Sequence, residues 1–144
     1  MIVNSAMLNI EGPERYGFCG EDGAGCRAAA RGRWARIQQA AEDAYDRSAR
    51  CEFTSFVGYE WSGAPGGNML HRNVLFRNEV VQDEPTNYVD TPTPEGLWDR
   101  LHSECLDRGN GCDVLAIPHN TTISGGLAFR TETPDGTPVD AAWA

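Results

Sequence analysis

Lysine is absent from this sequence: all twelve basic residues are arginine, against 21 acidic residues, and the formal net charge is -9. So acidic a surface repels a phosphate backbone, and we expect no nucleic-acid partner. The sequence also lacks an apolar run near the roughly 20 residues that a membrane helix requires, so we predict no membrane span. The remaining composition, 40% hydrophobic and 23% charged, is typical of a folded domain.

The length of 144 residues fits one domain, and we assign residues 1–144 to a single domain. A chain of this size buries roughly two thirds of the surface that its unfolded form exposes. Its hydrophobic core therefore requires neither a metal ion nor a disulfide for stability.

Four of the five cysteines form two pairs with the same sequence spacing. Cys19 and Cys26 enclose a glycine-rich loop, as do Cys105 and Cys112, and such loops close short rings without backbone strain. We therefore predict two local disulfides, with buried free thiols as the alternative. A zinc site is disfavoured because neither pair has CxxC spacing. Cys51 is predicted to be a buried thiol, although a link between Cys26 and Cys51 stays open.

Disulfides persist in oxidising compartments, so the two predicted bonds favour a periplasmic or secreted protein. The first ten residues lack the basic and apolar regions of a signal peptide. We therefore expect the export signal to lie upstream of Met1.

Apolar spacing predicts two helices and three strands. The first helix covers residues 26–47, and the second follows an N-cap at Thr93 and runs to about Arg108. The strands are predicted at Phe53–Glu60, Val74–Phe76 and Asp113–Ile117. The last strand is a near-continuous apolar run, which is typical of a strand buried on both faces of a parallel sheet. This order of elements indicates an α/β fold.

Three side chains of metal-ligating type lie at predicted strand ends. Glu60 ends the first strand and His119 follows the third, and ligands of α/β folds gather beyond the carboxyl ends of strands. His71 precedes the second strand, so it joins them only if the first two strands form an antiparallel hairpin. One carboxylate and two imidazoles suit zinc, manganese or iron, with an open position for water. The alternatives are a surface ion pair for Glu60 and hydrogen-bonding turn roles for the histidines.

Other polar side chains have simpler interpretations. His102 lies on the second predicted helix, and we expect it to face solvent. Arg72, Arg77 and Arg130 could each bind an oxyanion through two parallel hydrogen bonds. Pairing with aspartate or glutamate at the surface is the favoured interpretation for all three.

Several segments also carry a family resemblance: Phe53–Trp61, Gly67–Arg77, Asp113–Asn120 and Ser124–Gly126, with the Phe18–Gly20 start and the Thr93–Trp98 helix. Together they resemble the PHP superfamily of polymerase and histidinol phosphatase domains. Within it they are most similar to the branch known as domain of unknown function three-six-zero-four. The resemblance covers nearly the whole chain.

This resemblance implies a distorted βα barrel that binds more than one divalent metal ion and hydrolyses phosphoesters. Glu60 matches the metal-bridging carboxylate of the superfamily, and His71 and His119 match two of its histidine ligands. In an enzyme of this kind Arg72 would clamp an oxyanion, and Asn120 is a further candidate for substrate binding. The substrate would be a small molecule or a phosphoester.

Part of the superfamily pattern is missing. The opening His-x-His motif, the Thr-Asp-His motif and the late Asp-x-His motif have no counterpart in this sequence. We therefore expect a partial barrel with only the middle strands and helices, holding part of the metal cage and inactive by itself. Its open strand edges favour self-association.

Two functional hypotheses follow. In the first, the chain is part of a hydrolase that uses a metal-activated water. In the second, the same residues are structural remnants, and the chain is a non-catalytic secreted binding or scaffold module held by disulfides.

Overall fold

The computed structural model describes residues 6–7, 13–119, 121–133 and 135–139. Two α-helices and five β-strands occur within these residues. In chain order they are β1 (Ala6–Met7), β2 (Glu14–Arg15), α1 (Ala24–Ala44), β3 (Gly58–Trp61), β4 (Arg72–Phe76), α2 (Pro94–Glu104) and β5 (Val114–Pro118). The mixture of helices and strands agrees with the predicted α/β class.

The main sheet has three antiparallel strands in the order β3, β4, β5. Across its middle, Glu60 faces Asn73, and Asn73 faces Ile117. Because β3 and β5 are both antiparallel to β4, they run in the same direction as each other. Their carboxyl ends therefore lie at the same edge of the sheet as the start of β4. The short strands β1 and β2 form a separate antiparallel pair.

β5 corrects the prediction of a strand buried on both faces of a parallel sheet. It pairs with β4 in antiparallel register and forms an edge of the sheet. Leu115 and Ile117 are 60% and 39% exposed, whereas Val114 and Ala116 pack against the core on the opposite face. The prediction was wrong because apolar side chains occupy both faces of β5, but the described residues cover only one of them.

Both helices contribute to the core on the covered face of the sheet. Alternation along β3 and β4 turns four large side chains toward the core, and all four are buried: Tyr59, Trp61, Val74 and Phe76. Trp34 of α1 meets the ring of Tyr59 edge-on at a centroid distance of 5.7 Å. Leu97 and Leu101 of α2 complete the same cluster.

The ends of the elements agree with the predictions to different degrees. Thr93 is the N-cap of α2, where its hydroxyl oxygen accepts a hydrogen bond from the Gly96 amide at 3.1 Å. α1 begins and ends before its predicted bounds. β3 is shorter than predicted, because Phe53 and Phe56 precede it as exposed side chains outside regular structure.

A buried glutamine connects the sheet with both helices. Gln82 is 1% exposed; it accepts from the Tyr59 hydroxyl at 3.0 Å, and its amide donates to Glu104 at 2.9 Å. Its backbone carbonyl accepts from the Trp34 indole at 2.9 Å. Burial raises the pKa of Tyr59 to about 12, so the hydroxyl remains a donor at neutral pH. Leaving such a buried partner unsatisfied costs about 1–3 kcal/mol.

Both predicted disulfides are present, Cys19–Cys26 and Cys105–Cys112. Cys105 and Cys112 are part of the hydrophobic core. Cys51 corrects a prediction: it is a free thiol but exposed, because it lies in a tight turn with a φ of 46°. The pairing of Cys26 with Cys19 also removes the alternative link to Cys51. No described helix is long and apolar enough to cross a membrane.

We predict that the two disulfides stabilise the fold to different degrees. Each closes a ring of about eight residues, which contributes roughly 2–3 kcal/mol in the chain-entropy account. The double variant Cys105→Ala/Cys112→Ala also leaves a gap in the core, so it should lose more stability than Cys19→Ala/Cys26→Ala. Urea denaturation of both variants and the parent measures the losses. Equal free energies of unfolding for the two variants would contradict this prediction.

Candidate metal centre

The sheet brings the three predicted metal ligands to one edge. Glu60 lies in β3, His71 immediately precedes β4, and His119 immediately follows β5. The hairpin that was required to bring His71 to this edge is present. Arg72 faces Pro118 across β4 and β5, so the two histidines lie side by side one residue further along.

The donor atoms of these three side chains converge. Glu60 Oε1 lies 3.0 Å from His71 Nδ1, and Glu60 Oε2 lies 3.3 Å from His119 Nε2. One donor atom from each residue lies within 4.8 Å of the other two. Donor atoms at these separations are compatible with one shared ion, whose usual ligand distance is about 2.0–2.2 Å. The predicted convergence is therefore confirmed, whereas metal binding itself stays a prediction.

The cluster is open to solvent on one side. The side chains of His71, His119 and Glu60 are 17%, 30% and 41% exposed, respectively. Structural zinc sites close all four positions with protein ligands, whereas catalytic sites use three and leave one for water or substrate. The donor set and its exposure both fit the open, catalytic type.

Burial is the main influence on His71. It lowers the pKa of this imidazole below its usual value; the charge of Glu60 opposes that change, and His119 reinforces it. At neutral pH His71 is therefore neutral, and a ring nitrogen has a lone pair for a metal ion. One carboxylate beside ring nitrogens is a donor set that suits a divalent cation such as zinc, manganese or iron.

Two polar neighbours of the cluster were not predicted from the sequence. The Ser62 hydroxyl donates a hydrogen bond to Glu60 Oε1 at 2.6 Å. Asn73 is half-buried and lies directly opposite Glu60 in the β3–β4 ladder. The alternation of side chains along a strand could have identified both, because residues two apart and cross-strand partners share a face of the sheet.

Arg72 corrects the favoured interpretation of a surface ion pair, and its environment also differs from the one predicted for an oxyanion clamp. Its side chain is buried at 7% exposure, and Nη1 donates to the backbone carbonyls of Leu70 at 3.0 Å and His71 at 3.2 Å. Burial, together with the charge of Arg130, lowers the pKa of this guanidinium. In this structure Arg72 supports the backbone at His71, and its contact with substrate stays a prediction.

The remaining predicted residues lie away from the cluster or outside the described residues. Asn120 is one of the residues that the structure does not describe. Arg77 and Arg130 each form an ion pair with a carboxylate, which confirms the favoured interpretation for these two arginines. His102 is exposed on α2, as expected.

Two glycine-rich loops flank the site, one between β3 and β4 and the other after β5. They contact each other where the Met69 amide donates to the Ile123 carbonyl at 3.1 Å. Gly125 has a φ of 61°, and a Cβ atom there would come within 2.2 Å of Asn68 Oδ1. The positive φ favours glycine at this position, and a side chain there would also displace the Asn68 amide.

A family model described as Protein of unknown function (DUF3604) matches residues 2–144. The chain belongs to the DUF3604 family. This confirms the branch that the sequence segments indicated. No curated protein and no solved structure matches the chain. The DUF3604 chain thus combines an open cluster of one carboxylate and two imidazoles with two disulfides.

We predict that the DUF3604 chain binds one zinc, manganese or iron ion through Glu60, His71 and His119. Replacing any of them, as in Glu60→Gln, His71→Ala or His119→Ala, should weaken binding more than about 100-fold, because even a residue behind a metal ligand contributes 10- to 100-fold. Isothermal titration calorimetry with each metal measures the affinities. Lowering the pH through the depressed pKa of His71 should also weaken binding, since protons then compete with the metal.

His102 provides the matched control. Of the three histidines in the chain it is the one outside the cluster, and it is exposed on α2. His102→Ala should bind metal as the parent does. The assignment would be wrong if His102→Ala lost affinity as strongly as His71→Ala did, or if none of the three ligand variants changed it.

Proposed function

We propose that this DUF3604 chain forms part of a metal-dependent hydrolase of the PHP type that cleaves phosphoesters with a metal-activated water. One observation carries the proposal: Glu60, His71 and His119 converge from three strands on one solvent-open point. A surface salt bridge needs only two of these residues. Two imidazoles meeting both oxygens of one carboxylate are better explained by a cation site.

The chain's own residues have distinct tasks in this proposal. A bound divalent ion would supply a Lewis acid and an acidified water for attack on phosphorus. His71 and His119 would hold the ion through ring nitrogens, and the carboxylate of Glu60 would offset part of its charge. We propose more than one zinc, manganese or iron ion in the natural full-length protein. Contact of Arg72 with the phosphoryl oxygens requires its guanidinium to leave the two backbone carbonyls.

The open edges of the sheet fit a partial barrel, whereas its antiparallel pairing differs from the parallel strands of a βα barrel. Among the described residues no strand pairs with the outer edges of β3 or β5, and Leu115 and Ile117 are exposed beside the site. We propose that further strands continue the sheet at these edges, or that two copies of the chain associate there. Sedimentation of the chain over a range of concentrations tests self-association, and a monomer at every concentration would contradict it.

The two disulfides favour a second candidate, a secreted binding or scaffold module without catalysis. They indicate an oxidising environment, and on this basis we propose a periplasmic or secreted location for either candidate. The two candidates differ in the metal. A scaffold needs none, so native protein with intact ligands but without tightly bound zinc, manganese or iron would favour the module. Free Cys105 and Cys112 thiols in protein from its native compartment would contradict the location.

The decisive experiment measures hydrolysis by the natural full-length protein that carries this sequence, purified with its native metal. Phosphomonoester, phosphodiester and carboxylate ester substrates of p-nitrophenol report the class of bond that is cleaved. We expect phosphoester cleavage that chelation abolishes and added metal restores. Glu60→Gln and His119→Ala should lower kcat/KM by at least about 100-fold, since both hold the reacting centre, while His102→Ala should have no effect.

Metal-loaded protein that cleaves none of these substrates would contradict the hydrolase and favour the scaffold. Cleavage of only the carboxylate ester would contradict the substrate class while leaving the metal mechanism intact. Cleavage that survives Glu60→Gln and His119→Ala would place the active site elsewhere.

A further inference from the structure

We infer that Ser62 is a positioning residue for the metal centre, which orients the carboxylate of Glu60 so that Oε2 faces the metal. This inference rests on the proposed metal site and assigns a role within it. Its basis is the hydrogen bond from Ser62 Oγ to Glu60 Oε1, at 2.6 Å. The two oxygens of Glu60 therefore have different surroundings before any ion binds.

The difference between the oxygens becomes larger when the site is loaded. In the structure Oε1 also lies 3.0 Å from His71 Nδ1, and Oε2 lies 3.3 Å from His119 Nε2. A metal ion bound through these two nitrogens would use their lone pairs, so neither nitrogen could then donate to Glu60. Among the described residues, Ser62 would be the remaining hydrogen-bond donor to Oε1.

The backbone around Ser62 is held firmly enough for it to act in this way. Trp61, between Glu60 and Ser62, is 1% exposed, and its indole donates to the Thr91 carbonyl at 3.0 Å. Gly63 lies against the Trp61 ring, where a Cβ atom would come within 2.2 Å. The backbone is thus anchored on both sides of Ser62, which keeps its hydroxyl within reach of Glu60.

Glu60 needs such support because its side chain is 41% exposed. An exposed glutamate samples several rotamers, and binding through one of them costs conformational entropy. A residue that hydrogen-bonds a ligand from behind fixes its orientation and typically contributes 10- to 100-fold to metal affinity. With Oε1 held by Ser62, Glu60 is expected to bind the ion through Oε2 alone.

The test is a cobalt titration of the DUF3604 chain followed by visible absorption. Co²⁺ reports affinity and coordination number together, because its absorption weakens as the number of ligands rises. Ser62→Ala should lower the affinity about 10- to 100-fold and weaken the absorption, since Glu60 is free to bind through both oxygens. Ser62→Thr retains the hydroxyl and should restore both affinity and spectrum.

Two further variants keep the result interpretable. Ser62→Val has nearly the shape of Ser62→Thr without the hydroxyl, so the Thr and Val proteins form a matched pair even if Ser62→Ala folds poorly. Ser103→Ala removes an exposed serine of α2, whose hydroxyl donates to the Arg100 carbonyl, and should behave as the parent. Thermal unfolding of each apoprotein separates loss of fold from loss of orientation.

The outcomes separate this inference from the proposed function. A parent chain that binds no Co²⁺ would remove the metal site itself. A parent chain that binds Co²⁺, with Ser62→Val equal to Ser62→Thr in both affinity and spectrum, would overturn the role of Ser62 and leave the site intact. Lower Co²⁺ affinity and weaker absorption in Ser62→Val, with both restored in Ser62→Thr, would support the positioning role of Ser62.

Discussion

The antiparallel pairing of β4 with both of its neighbours is the constraint on which the site depends. This arrangement makes β3 and β5 run in the same direction, so the end of each strand meets the start of β4 at one edge. Glu60, His71 and His119 come from distant parts of the chain and share no local structure. A slip of one residue in either ladder would move a ligand to the other face of the sheet.

The core holds that register in place. On the covered face, Trp34 and Phe76 pack with the buried Tyr59, and the hydrogen bonds of Gln82 connect this group to α2. The Cys105–Cys112 disulfide fixes the segment between α2 and β5. Packing and covalent bonds are thus concentrated on one side of the sheet, while the ligands occupy the edge at which the glycine-rich loops leave it.

Much of this arrangement could be predicted from the sequence, because its signals are local. Thr93 before Pro94 indicated a helix start. Two pairs of cysteines, with the same spacing and a glycine-rich loop inside each pair, indicated two disulfides. The positions of Glu60 and His119 at strand ends indicated a common edge.

What could not be predicted depends on distant contacts. An apolar run does not show whether other elements cover both of its faces, so the prediction that β5 is buried on both faces was wrong. The prediction that Cys51 is buried was wrong for a similar reason, since the conformation of the turn that exposes it depends on the residues around it.

The directions of polar side chains could not be predicted from the sequence either. Arg72 follows His71 directly, yet its guanidinium is buried against backbone carbonyls. Ser62 carries no motif of its own. Strand alternation places it on the same face as Glu60, but the hydrogen bond between the two side chains is shown only by the structure.

X-ray absorption of the zinc-loaded chain tests the central claim, that Glu60, His71 and His119 meet on one ion. The account predicts a first shell of nitrogen and oxygen at about 2.0–2.1 Å, with the outer-shell scattering of two imidazoles. A sulfur shell near 2.3 Å would instead place the metal on cysteine. That result, or a spectrum without imidazole scattering, would contradict the account.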